Sequence, residues 1–219
     1  MGHAVIWRGR AIVLAARVNT RGPRIRQSHI MRMSRIEKRF VNDTGHSRRV
    51  AEEAVRRLRH VPVQPSWSYL DVGCGNGAAA LFVADTLGLH VLGVDVDPQQ
   101  IALARSAARG RTDVLFMTAD ATCLPFDDGR FDIVATNKTT HHVPQWLSAI
   151  AEMRRVLKPQ GYLIYADLKT PSWLAWALKP LAGHAGVFTG ADLDRCFASW
   201  QPVHRETGWL HYQTILQKL

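Results

Sequence analysis

The sequence predicts an α/β fold: a doubly wound, mostly parallel sheet of seven strands that closes with a C-terminal antiparallel hairpin. Three observations predict it. Between residues 68 and 168, short apolar runs alternate with amphipathic stretches of about three turns, the rhythm of βαβ units covered on both faces. The turn Gly73-Cys74-Gly75-Asn76-Gly77 falls where the first run gives way to the first helical stretch, the place a doubly wound sheet keeps for a ligand. Past residue 200, two β-prone runs flank Gly208, as in a hairpin at a sheet edge.

Residues 46–60 open the body as a helix. Val50, Ala54, Val55 and Leu58 share one face, and Glu52/Arg56 and Glu53/Arg57 stand four apart as ion pairs. Pro62 and Pro65 end it. Residues 68–72 then read as strand, 76–87 as helix, 90–96 as strand and 98–109 as helix. Strands follow at 113–118 and 131–136, a helix at 144–157 and a strand at 162–166. Asp97 before Pro98 supplies an N-cap and a proline at the first helical position. Gly88, Gly110 and Gly161 are expected just after helices or in the loops before strands. Residues 169–190 are apolar with no clean period, 191–199 read as a short helix, and 201–207 with 210–216 form the hairpin.

Composition narrows the class. The chain has 219 residues and is 47% hydrophobic, which supports a sizeable core and excludes a wholly disordered chain. The net charge of +10 invites a nucleic-acid reading, but the charge is local. Residues 1–36 carry eight arginines and no acid, which leaves +2 for residues 37–219. Nucleic acid is therefore not the expected partner. The arm fits a transit peptide, a phosphate- or lipid-binding tail, or an extension ahead of a start at Met31 or Met33. We read residues 1–33 as a disordered basic extension and 34–219 as one domain. In that domain a helical lid spans 34–60, the binding core 66–168 and a substrate and sheet-edge region 169–219. Cys74, Cys123 and Cys196 lack CxxC spacing and cannot all pair, which argues against a disulfide framework and for a reducing, cytoplasmic setting. No apolar run reaches the ~18 residues of a spanning helix.

The glycine turn carries the function. One glycine permits the turn, one lets backbone approach a ligand, and one allows tight strand–helix packing. Asp95, 18 residues after Gly77, ends the second strand, where a carboxylate can accept both hydroxyls of a ribose. The order is GxGxG, with Asp71 two residues ahead, not the GxGxxG of NAD-type dehydrogenases. This arrangement resembles the class I S-adenosylmethionine (SAM) methyltransferases, whose first motif reads (D/E)xGxGxG. Val94-Asp95-Val96-Asp97-Pro98 is similar to their second motif, and Thr118-Ala119-Asp120-Ala121 to their adenine-contact turn. Leu124-Pro125-Phe126 followed by Phe131-Asp132-Ile133-Val134 resembles the fourth-strand motif. Arg155-Val156-Leu157-Lys158-Pro159-Gln160-Gly161-Tyr162 resembles the LKPGG block, with Gln160 in place of its first glycine. The likeness covers about residues 46–168 and is nearest to the small-molecule branch that includes ubiquinone and menaquinone methyltransferases.

The resemblance implies a Rossmann-like fold, SAM as cofactor, no metal, and a small acceptor that one reading makes lipophilic. It implies that Asp71, Gly73, Cys74, Gly75 and Gly77 line the methionine end of SAM, with the Cys74 thiol read as packing. Asp95 would bind the ribose hydroxyls, Val96 would pack on adenine, Asp120 would accept from the adenine amino group beside Ala121, and Asn137 would lie near the methyl group. His141 and His142 are adjacent and do not share a helix face, which disfavours one metal between them. One is read as a general base, with His142 preferred because its analogue recurs in the family; otherwise both cap the helix at 144–157 or hydrogen-bond the loop backbone. Lys138 points to an anionic substrate or to solvent. The loop after the fourth strand has neither Asn-Pro-Pro-Tyr nor a carboxylate, which sets aside the amino-methylating and metal-dependent catechol types.

Trp173-Leu174-Ala175-Trp176-Ala177-Leu178 follows the fifth strand, where α/β enzymes place substrate loops. A helix on the sheet edge fits equally, as does an interfacial segment touching lipid between Lys169 and Lys179. Two rivals stand beside the enzyme: a SAM-binding module without catalysis, and an RNA-directed methyltransferase using the Arg-rich arm.

Overall fold

The computed structural model describes residues 4–7, 10–13, 44–178 and 186–219. They belong to two compact units, within residues 1–30 and 31–219. In the first, β1 (Ala4–Trp7) and β2 (Arg10–Val13) pair antiparallel, with Val5 opposite Ile12 and Ile6 opposite Ala11. Both strands lie within the stretch 1–33, and the β-branched runs on each side of Arg8-Gly9 account for them. Met31, Met33, residues 34–43 of the expected lid, and Lys179 lie outside the described residues.

The second unit holds α1 (Thr44–Leu58), β3 (Ser68–Val72), α2 (Ala78–Leu87), β4 (His90–Asp95), α3 (Pro98–Ala107) and β5 (Val114–Thr118). It continues with β6 (Phe131–Asn137), α4 (Trp146–Val156), β7 (Leu157–Leu168), α5 (Ser172–Leu178), α6 (Gly190–Cys196), β8 (Gln201–Thr207) and β9 (His211–Gln217). The seven-stranded sheet runs β5-β4-β3-β6-β7-β9-β8. The first five strands are parallel, and β9 pairs antiparallel with both β7 and β8. Chain order reverses between β3 and β6, which opens a crevice at the carboxyl ends of these two central strands.

All five residues of β3 are buried, as a central strand covered on both faces requires. Tyr69, Val91, Ile133 and Ile164 of the sheet pack with Leu58 of α1 and Ala80, Val83 and Ala84 of α2. α2 starts directly after Gly77, whose φ of 81° turns the chain out of β3, and stops at Gly88, which donates its N–H to the Ala84 carbonyl. Asp97 caps α3 by accepting from the Gln99 N–H at 2.9 Å. Glu53 pairs with Arg57 as expected, but Glu52 reaches back to Arg48 at 2.8 Å and not forward to Arg56.

The fifth parallel strand is longer than its apolar run. β7 begins at Leu157, directly after α4, so Gly161 lies inside a strand and caps nothing. A Cβ on Gly161 would stand 2.9 Å from the Asp132 carbonyl, so close approach to β6 is what needs the glycine there. Gln160 carries the positive φ of 62° instead. The stretch after β7 contains α5, in which Ala175 is buried and Trp173 exposed. Among the described residues, no helix is long and apolar enough to cross a membrane.

Candidate active site

The turn after β3 is tied down by backbone. The N–H groups of Gly73 and Cys74 both donate to the Val94 carbonyl of β4, at 2.8 and 3.0 Å. Gly73, Gly75 and Gly77 all have positive φ, but their surroundings differ. A Cβ on Gly73 would collide with Thr139, whose hydroxyl donates to the Val72 carbonyl at 3.3 Å. A Cβ on Gly77 would stand 2.6 Å from Phe116 Cζ and 2.9 Å from Ala104 Cβ. A Cβ on Gly75 meets nothing within 4 Å. Gly75 therefore keeps a cradle open, while its neighbours keep the fold closed. Cys74 is buried with its thiol pKa pushed well up by burial, and a Cβ on Gly93 would press on its sulfur, so this thiol packs and does not react.

Two carboxylates converge on the same turn. Asp95 accepts from the Gly75 N–H at 2.9 Å and from the Asp97 N–H at 2.8 Å, one on each oxygen. Asp71 is buried at the end of β3; burial, and then the Asp95 charge, push its carboxyl up to about 7. Val96, next to Asp95, is 39% exposed, an apolar surface left uncovered beside polar acceptors. Asp120 lies one loop further on, joined to β4 through the Ala119 N–H and the Asp95 carbonyl. Its Oδ1 accepts from both the backbone and the hydroxyl of Thr122, which fixes the carboxylate with Ala121 beside it.

The other wall of the crevice is the loop after β6. The register that sets Asn137 beside Ala166 brings Asp167, the next residue on β7, against this loop. The Asp167 side chain is fully buried and accepts from the Thr140 N–H at 2.7 Å, the Thr140 hydroxyl at 2.5 Å and the Leu168 N–H at 2.7 Å. Its Oδ1 lies 2.5 Å from Nδ1 of His141. Thr140 is also 2.6 Å from the Tyr165 hydroxyl, whose pKa burial and then Asp167 push up. His141 is thus oriented by a buried carboxylate. His142, preferred on sequence grounds, has its ring 3.9 Å from that of His141, and its N–H donates to the Thr139 carbonyl. Lys138 is exposed, with a positive φ of 54°.

A third group comes from α1. Nη1 of Arg57 donates to Oδ1 of Asn137 at 3.3 Å, and Nη2 meets Glu53 at 2.6 Å. Asp167 and Arg57 are the residues that sequence reasoning missed at this site. A carboxylate ending the apolar run Tyr162–Ala166 was the available signal for Asp167. For Arg57 the signal was its place beside Leu58 on the buried side of the helix. Among the described residues, no group of histidines, cysteines and carboxylates is arranged to hold a metal ion.

Comparison with known proteins matches this geometry to a family. Residues 70–165, from β3 to β7, match the methyltransferase domain family. An uncharacterized methyltransferase of Synechocystis sp. is 33% identical over 167 residues, which are 74% of this chain and 73% of that protein. The 2-methyl-6-phytyl-1,4-hydroquinone methyltransferase of the same organism is 36% identical over 103 residues, 47% of this chain but only 32% of that one, so the shared segment is about a third of that relative. A geranyl diphosphate methyltransferase solved in complex with SAM superposes with a TM-score of 0.66 at 18% identity, over 81% of this chain and 92% of that one, a likeness of fold. With its glycine turn at the switch point of a seven-stranded sheet, and with these relatives, the chain belongs to the class I SAM-dependent methyltransferases.

Proposed function

We propose that this methyltransferase alkylates a small, lipophilic acceptor carrying an acidic hydroxyl, of the hydroquinone class. The observation that carries the proposal is the His141–Asp167 pair at the mouth of the β3–β6 crevice. A buried carboxylate on Nδ1 fixes the tautomer that leaves Nε2 as an acceptor, the arrangement a proton acceptor needs. The phytyl-hydroquinone relative supports the acceptor class. So does the apolar rim: Trp173 is 70% and Trp209 73% exposed, and the Lys169 N–H bonds to the Leu210 carbonyl, which holds the hairpin tip beside the exit of β7.

When bound, SAM supplies its own electrophile, a methyl group on a sulfonium. The chain supplies orientation and a base. Asp71, Gly73, Cys74, Gly75 and Gly77 would receive the methionine end, and the gap over Gly75 fits a ligand close to backbone. Asp95 would accept from the ribose, its oxygens keeping lone-pair capacity beyond the backbone N–H bonds they accept. Val96 and Ala121 would flank the adenine, Asp120 would accept from its amino group, and Asn137 would stand by the methyl group. His141 Nε2 takes the acceptor proton, and α1 excludes water as the described part of the lid. The reaction would run in the cytoplasm, which the free thiols of Cys74, Cys123 and Cys196 support, with Trp173 and Trp209 against a membrane surface.

Labelled-methyl transfer tests this. Hydroquinones with isoprenoid tails should be methylated, tail-less ones and RNA much less. His141→Ala should slow transfer by about 10²–10⁴-fold with cofactor affinity unchanged. Equal turnover in that variant would remove the base, and transfer to RNA alone would replace the acceptor class.

A further inference from the structure

We propose that Arg57 is the receptor for the carboxylate at the methionine end of the cofactor, an inference that rests on SAM occupying the Gly73–Gly77 turn. The Arg57 side chain is only 5% exposed, unusual for an arginine on a helix that ends near the surface. Two partners are visible: Glu53 at one terminal nitrogen and the neutral amide oxygen of Asn137 at the other. Nε is buried and has no hydrogen-bond partner among the described residues. Glu53 is 36% exposed, so part of its charge is spent on water. A guanidinium is a planar fork of donors, and burying it with donors unspent is costly unless a second acceptor arrives. A carboxylate is the planar two-oxygen anion that fits such a fork.

Position selects which carboxylate. Asn137 ends β6 at the crevice, and Thr139, two residues on, touches the carbonyl of Val72 just before the glycine turn. Arg57 therefore stands where the methyl donor would sit, not at the apolar rim marked by Trp173 and Trp209. Tyr69 of β3 lies within electrostatic range of both Arg57 and Asp71, so the two charges are near neighbours. The amino and carboxylate groups of the cofactor share one carbon. An acid on one side and a guanidinium on the other match that zwitterion, and Asp71 alone does not.

The test compares three ligands by calorimetry: SAM, decarboxylated SAM, and 5′-methylthioadenosine, which lacks the amino-acid arm. Wild type should bind SAM about 10–100-fold more tightly than decarboxylated SAM, the range of one charge-assisted hydrogen-bonded contact. Arg57→Met should erase that preference while holding the other two ligands within about twofold. Arg57→Lys keeps the charge and the packing stem but not the fork; it should lose part of the preference, and it serves if the methionine variant does not fold. A preference that survives in both variants overturns the proposal, as does equal weakening of all three ligands, which would make Arg57 a tie between α1 and β6. Loss of acceptor affinity with the preference intact would reassign the arginine to the substrate and also overturns it. A wild type that binds none of the three refutes the cofactor reading itself, a distinct outcome.

Discussion

Asp71 sits where a single proton reports on the ligand. Burial first, and the nearby Asp95 charge second, raise its carboxyl to about 7. A carboxyl raised in the folded state favours folding when protonated; that contribution is full below the ordinary carboxylate range and is lost as pH climbs towards about 7. The ammonium group of a bound cofactor favours the opposite, charged form. Binding should therefore release a proton at about pH 6, and affinity should rise with pH up to about 7. Calorimetry in buffers of different ionisation enthalpy measures this, and Asp71→Asn should abolish the release. Wild-type binding with no proton released would place the ammonium elsewhere. Asp71 was legible in the sequence because it stands two residues ahead of the glycine turn it serves. Asp167 was not, because it meets Thr140 and His141 only through the β6–β7 register, 27 and 26 residues away along the chain.

The turn between β3 and α2 divides its labour among three glycines, and substitution should separate the roles. At Gly75 a Cβ enters open space, so Gly75→Ala should cost only about 1 kcal/mol, the strain of a left-handed residue. It should still cut SAM affinity at least about tenfold, because the methyl group enters the cradle. At Gly77 the same change drives a Cβ into Phe116 and Ala104, and overpacking adds about 1–3 kcal/mol to the strain. Denaturant unfolding and calorimetry on the two variants check the contrast; equal stability losses would mean that the helix–sheet contact at Gly77 yields. The sequence showed that three glycines were needed here. It could not show which one faces the ligand, because that depends on where β5 and α3 lie. The same limit explains Gly161: a glycine after a helix reads as a cap, and only the passage of β6 nearby reveals a close approach.

Across the whole molecule, the strand–helix rhythm was legible because central strands are apolar throughout and their helices begin and end on Asp97, Pro98 and Gly88. The antiparallel end was legible from Gly208 between two β-prone runs. α5 was only one of three readings the sequence left open, because its flanks are apolar too and no period stands out. The folded unit and its ligand form one equilibrium. SAM at about 100 times its dissociation constant should add about 2.7 kcal/mol to stability and raise the melting temperature by about 5–10 °C. A thermal scan against cofactor concentration measures this, and a flat response would contradict a site formed only in the folded state. The contact between Gly73 and Thr139 has a practical outcome for redesign. Because the donor-side turn leaves no room for even one carbon beyond Thr139, the loop carrying His141 cannot be exchanged for a relative's without rebuilding the first glycine's surroundings. From Lys169 onward, the described residues meet this loop at Gly186, whose N–H donates to the His141 carbonyl and which should be kept. New acceptor preferences are best grafted elsewhere in that stretch, with residues 137–142 inherited as a block.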